Sequence, residues 1–353
     1  MSYTNGLDKP SDYMRIQTWS GNNSADREIT WSETDNMQPD WIWVKRRSDT
    51  ANHRLADSVR GATKILRSDT NGAETTESDD TLSFDTNGFS VGSNSGVNKT
   101  GDTYVGWGWK AGTSFTNDAS ATGIGTIDSA GSVNTDAGFS ICSYTGTGSN
   151  GTIKHGLSTV PHMIIQKNLT SGTHAWNVYH KNLTSAGYNL NLNDTYAEFT
   201  SATTWNSTAP TSSVFSVGTD TNANESGSGH IAYCFAEKKG YSKFSSYVGN
   251  LSDDGPFCYT GFKPSFVMVK DITTAENWFM YDNRRPGYNY NHYLTADTSG
   301  AEVTGDNWVD FLSNGFKLRK GQTGTNRSGD TYIYMAFAEN PFTTSTGVPA
   351  CAR

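Results

Sequence analysis

The sequence predicts an all-β protein built from three tandem antiparallel β-sandwich domains, jelly-roll or lectin-like in kind. Three observations predict it. One segment, a proline, five mostly apolar residues and a lysine, occurs three times: Pro39 to Lys45, Pro161 to Lys167 and Pro264 to Lys270. The signals on either side of it recur in the same order, at a period of roughly 100–120 residues, which suits a domain better than a solenoid repeat. The composition joins 12% aromatic residues to only 18% charged and 34% apolar ones, the balance of a turn-rich β protein with solvated strand faces.

Each element follows in order. Every copy opens on a short aromatic segment, Thr18-Trp19-Ser20-Gly21, Ser143-Tyr144-Thr145-Gly146 or Ser246-Tyr247-Val248-Gly249. In the Pro-to-Lys segment, Trp41 and Trp43 alternate with Ile42 and Val44, and Phe266 and Met268 with Val267 and Val269. Both faces are apolar, so this strand is central and packed on two sides. A second strand is signalled from Trp176 to Tyr179 and from Trp278 to Tyr281, and a third at Thr63 to Leu66, Tyr188 to Leu190 and His292 to Leu294. Asp-Thr turns at 69–74, 194–198 and 297–302 then lead to two last strands. One carries Phe89, Phe215 or Phe316; the other carries Thr103-Tyr104, His230-Ile231 or Thr331-Tyr332. Sustained helical periodicity is absent. The expected organisation is a docking arm at 1–14, sandwiches at 15–112, 139–239 and 240–353, and a Ser/Thr/Gly-rich linker at 113–138.

Charge and motifs exclude several classes. A net charge of −8 with scattered Lys and Arg lacks the basic surface that nucleic acid needs. No apolar run nears the ~20 residues of a membrane helix. The opening Met1-Ser-Tyr-Thr has neither a basic cluster nor an apolar stretch, so no secretory signal is expected and folding is placed in a cytoplasm. Cys142, Cys234, Cys258 and Cys351 show no paired spacing and read as buried free thiols. The histidines form no zinc motif, and neither a nucleophile elbow nor a phosphate loop occurs, so no enzyme activity and no cofactor are expected.

The candidate sites are therefore few. The carboxylate pairs Asp69/Glu74, Asp194/Glu198 and Asp297/Glu302 invite a catalytic reading, but Asp-Thr-x-Gly is first a turn signal. Asp69, Asn71, Asp85 and Asn87 place oxygens at alternate positions, as calcium loops do, without the Glu at loop position twelve. Trp107 and Trp109 suit core packing or sugar stacking. The third copy replaces Val59-Arg60-Gly61-Ala62-Thr63 with a loop rich in cations and aromatics, and Arg285, Tyr288, Tyr290 and His292 are the expected exposed contacts for a glycan or receptor.

The run Pro39-Asp40, Asp57-Ser58-Val59-Arg60-Gly61-Ala62-Thr63-Lys64 and Gly101-Asp102-Thr103-Tyr104-Val105-Gly106-Trp107 resembles a repeat family of structural proteins of marine tailed phages. The likeness covers residues 13–341; copies two and three depart from it, with His180 for the Asp and Tyr233-Cys234-Phe235 for the Trp-Gly-Trp. It implies a non-enzymatic virion protein, assembled in the host cytoplasm, in a tail fibre or surface appendage with host-surface glycan binding. The alternative is a capsid decoration or head-fibre protein docking on the major capsid protein, and a third option is a polysaccharide depolymerase, which needs a carboxylate pair in a groove. Implied partners are other virion proteins, a cell-surface glycan and, by analogy with fibres, two further copies in a homotrimer.

Overall fold

A strand that is apolar on both faces needs two packing partners, and here one comes from its own repeat and the other from its neighbours. The computed structural model describes residues 7–285, 292–305 and 307–341, and is all-β with several antiparallel sheets. The first repeat contains β1 (Met14–Ser20), β2 (Arg27–Thr30), β3 (Trp41–Arg46), β4 (Arg54–Asp57), β5 (Gly61–Leu66), β6 (Thr75–Thr76), β7 (Thr81–Asp85), β8 (Gly88–Val91) and β9 (Thr103–Trp109). They form a large sheet, β1-β9-β3-β4-β5-β6, and a small one, β2-β8-β7.

The second repeat holds β10 (Thr113–Asn117), β11 (Ser129–Asn134), β12 (Phe139–Thr145), β13 (Gly151–Lys154), β14 (Met163–Asn168), β15 (Asn177–His180), β16 (Tyr188–Asn191), β17 (Phe199–Thr200), β18 (Val214–Val217) and β19 (Gly229–Phe235). Its large sheet runs β10-β11-β12-β19-β14-β15-β16-β17; its small sheet is β13-β18. The third contains β20 (Ser242–Val248), β21 (Phe257–Tyr259), β22 (Phe262–Asp271), β23 (Trp278–Asp282), β24 (Leu294–Thr295), β25 (Val309–Leu312), β26 (Gly315–Leu318) and β27 (Thr331–Pro341). Here the sheets are β20-β27-β22-β23-β24 and β21-β26-β25.

The two faces of the central strands go to different cores. Ile42 and Val44 pack with Phe89 and Val91 beneath the first small sheet, Ile164 with Phe215 in the second repeat, and Val267 with Phe316 in the third. Trp41, Trp43, Trp107 and Trp109 point the other way, into one core shared with Phe139, Tyr233, Phe235, Phe266, Met335 and Phe337. Rings from different repeats touch there: Trp41 stacks on Tyr233 at 4.4 Å, and Trp109 meets Phe337 at 5.7 Å. Trp107 and Trp109 are thus core residues, fully buried. The glycines that alternate with them, Gly106 and Gly108, have a steric reason, since a Cβ would press at 3.0 Å or less on the Phe89 ring or the Trp31 ring respectively.

Two organisational expectations change. The segment 113–138 is no linker: β10 and β11 pair antiparallel and extend the second large sheet through β12, with a four-residue helix (Ala119–Thr122) between them. Asp118 caps that helix through the Ala121 amide, and Gly123 closes it in the left-handed region. Such an edge hairpin is held by its backbone ladder and needs few apolar side chains. Of the expected arm, residues 7–14 are bound to the body: Leu7 and Tyr13 pack on the shared core, and Tyr13 meets Tyr241 edge-on at 5.8 Å.

Candidate functional site

The thrice-repeated motifs turn out to be halves of one joint. The lysine closing each central strand donates to a carbonyl in another repeat's Asp-Thr turn: Lys45 to Ser299 at 3.2 Å, Lys167 to Asn71 at 3.2 Å and Lys270 to Thr195 at 3.1 Å. The glutamate amides of those turns cross the same boundaries, Glu74 to Leu169, Glu198 to Ile272 and Glu302 to Arg47. The first repeat's turn meets the second repeat, the second's meets the third, and the third's returns to the first. Burial pushes all three lysines down to about 8. The Asp69 carboxylate accepts from the His53 amide at 3.1 Å and from Asn52 Nδ2 at 2.9 Å. Burial also raises the Asp297 carboxyl to about 7.

A second set of cross-repeat contacts corrects the surface role expected of Arg285. Its guanidinium is buried, with Nε 2.6 Å from Asp282 Oδ2 and Nη1 3.2 Å from Glu302 Oε1. Two carboxylates and the Met280 carbonyl satisfy its donors inward, so it is a joint residue. Trp107 of the first repeat donates to the same Asp282 at 3.1 Å. Arg60, Asp57 and Tyr233 repeat the arrangement, at 2.6 Å for the ion pair and 2.7 Å for the hydroxyl. His292 lies half-buried with Nδ1 3.3 Å from Glu302, and Tyr288 and Tyr290 lie outside the described residues.

The calcium candidates do not converge. Asp85 accepts from the Ser83 and Ser90 hydroxyls, Asn87 Oδ1 accepts from Arg15 and the Met37 amide, and the Asn71 carbonyl takes Lys167. No cluster of three or more His, Cys, Asp or Glu suited to a metal occurs among the described residues. Cys142, Cys234 and Cys258 are buried free thiols, and Cys351 lies outside the described residues.

Among the described residues, the second repeat holds an open cleft of about 760 Å³. An amide ladder crosses the sheet there. Asn177 Nδ2 donates to Gln166 Oε1 at 2.8 Å, Asn189 Nδ2 to Asn177 Oδ1 at 2.9 Å, and Trp205 Nε1 to Asn189 Oδ1 at 3.0 Å. Asn191 and Asn222 continue the amide lining; Asp220, Glu198, Phe199 and Tyr196 complete the walls, and Tyr196 is 58% exposed. Sequence reading missed these residues. The cross-strand pair Gln166–Asn177 stands where the other repeats have Val44–Arg54 and Val269–Phe279. Amides on a face that is otherwise apolar or ion-paired were the available signal.

Residues 9–341 match, in one span across all three repeats, a family model described as a domain of unknown function, DUF7483. No curated protein and no solved structure matches the chain.

Proposed function

The chain belongs to the DUF7483 family, and from that premise we propose that it is a non-enzymatic structural module of a tailed-phage virion, placed in a tail fibre or surface appendage. In this reading each repeat is a lectin-like antiparallel sandwich domain, and the three close on one another as a rigid unit. The observation that carries it is the cyclic closure: three buried lysines, each bonded to another repeat's turn, around one aromatic core. Committing the repeated carboxylates and cations to joints serves rigidity, and an appendage that bears load or presents a binding surface needs rigidity. The match of one family model to all three repeats at once supports treating them as a unit.

The homotrimer expected of fibres belongs to the same proposal. The shared core already fills the space between the repeats, so further copies would associate through outer faces. Mass spectrometry of purified particles tests the reading. Tens of copies per particle support a fibre set, and hundreds move the module to capsid decoration, docked on the major capsid protein. Absence from particles overturns it, as does glycan release that is lost on Asp69→Asn with Glu74→Gln, which would make the chain a depolymerase.

A further inference from the structure

We propose that the cleft of the second repeat is a binding site for a neutral saccharide. This names the ligand class of the binding role proposed above, and it rests on that role only for the source of the sugar, a cell-surface glycan. Four observations carry it.

The cleft exists because a covering strand is absent. The small sheets of the first and third repeats have three strands; that of the second has two, and the chain before β18 runs as irregular loop. The face that elsewhere is sealed therefore stands open. In the third repeat Phe279, Tyr293 and Trp308 close it, with ring centroids 4.6–5.5 Å apart, and in the first the half-buried Arg54 does so, paired at 2.8 Å with the buried Asp80.

Its volume, about 760 Å³, lies within the roughly 300–1,000 Å³ of small-ligand sites. Its chemistry is that of hydroxyl recognition. Each side-chain amide offers a donor and an acceptor, and a carboxylate accepts from two hydroxyls. Ladder hydrogen bonds fix the buried Asn177 and Asn189, so the half-buried Asn191 is presented from a rigid wall. Hydrogen bonds from Asn222 and from the Thr184 amide likewise orient Asp220 and Glu198. The exposed Tyr196 ring supplies a face on which the C–H side of a sugar can lie. Finally, among the described residues no Lys or Arg lines the cleft while two carboxylates do, which selects against phosphate, uronic acids and sialic acid.

Saturation-transfer NMR on the full chain, with methyl α-mannoside, methyl β-galactoside, glucose and N-acetylglucosamine as neutral probes and glucuronic and N-acetylneuraminic acids as anionic ones, tests the site. At least one neutral probe should bind, and Tyr196→Ala should weaken it about fivefold to tenfold with unchanged melting. Tyr259→Ala, at an exposed ring of the third repeat, should leave it unaltered. Failure of every neutral probe overturns the site, as does preference for an acidic sugar, or unaltered affinity in Tyr196→Ala combined with Asn191→Ala. Sugar binding by a chain absent from particles would leave this site standing and remove only the virion reading.

Discussion

Tyr233 donates its hydroxyl to Asp57 at 2.7 Å across a separation of 176 residues, and Trp107 stands to Asp282 in the same relation at 3.1 Å. The register of the last long strand makes Trp107, Tyr233 and Met335 equivalent; that of the central strand equates Asp57, His180 and Asp282. Leu183 replaces Arg60 and Arg285 three residues on. Two joints therefore combine Asp, Arg and an aromatic donor, while the third combines His, Leu and Met. Burial holds His180 down at about 3, so it stays neutral there, with the Phe244 ring 6.5 Å away. Charge, counter-charge and donor are kept or dropped together, as the high cost of one buried charge left alone requires.

Breaking a charged joint should therefore be graded. Asp57→Ala leaves Arg60 buried with Glu74 as its remaining carboxylate, and should cost about 3–5 kcal/mol. Tyr233→Phe removes the hydrogen bond donated to Asp57 and the longer one accepted from Arg60 Nη2, while leaving the ion pair, and should cost about 1.5–3 kcal/mol. Urea unfolding of both variants checks the order; equal, small losses would mean that water reaches the joint.

A core shared by three repeats should unfold once. Intrinsic tryptophan fluorescence and far-UV dichroism should give coincident transitions, and Trp109→Ala should shift both by about 3–5 kcal/mol. Residues 139–239 alone would expose Phe139, Tyr233 and Phe235, and should self-associate or stay unfolded on a sizing column. A dispersed, folded monomer from that fragment would contradict the shared core.

The lysine joints give a pH signature, cleanest at Lys167, where burial is the only cause of the shift. Its folded value of about 8 lies below the ordinary 10.5, so between the two the unfolded chain holds more protons. Stability from this site is lowest below pH 8, where the charge is buried, and rises toward 10.5. Burial pushes the Cys142 thiol up to about 12, which opposes the rise above pH 9. The readout is therefore wild type minus Lys167→Met. That difference should grow from pH 8 to 10; a flat difference would show the amine to be solvated.

Buried thiols should be silent in the native state. Cys142, Cys234 and Cys258 should react with a disulfide reagent only as fast as the chain unfolds. Labelling followed by peptide mapping distinguishes them; rapid modification at Cys258 in native buffer would place the third small sheet in local opening.

The strands were legible because alternation is a local signal. Trp41-Ile42-Trp43-Val44 even announced two buried faces. What covers each face is not local, and the pattern carries nothing about which repeat a lysine or turn will meet. The hairpin β10–β11 was hidden because Phe115, Ile127 and Val133 are its few large apolar anchors in a run of Ser, Thr and Gly. Arg285 looked exposed beside a polar loop, although Asp57 and Asp282 sit at one spacing before Arg60 and Arg285, the visible sign of the same i,i+3 ion pair recurring inside the first and third repeats. Gln166, Asn177 and Asn189 were passed over because Asn is ordinary in this composition; only their partners across the repeats make them odd.

The uncharged joint at His180 and Met335 bears on what a single polypeptide permits. Three identical subunits around an axis must carry any substitution in triplicate, so removing one wall strand would open three holes, and discarding one ion pair would discard all three. Linked in one chain, the copies can diverge singly. The second repeat can surrender a strand and line the opening with amides while its two neighbours keep their closed, ion-paired or aromatic interiors. Asymmetry of that sort is open to a covalent triplet and denied to a homotrimer.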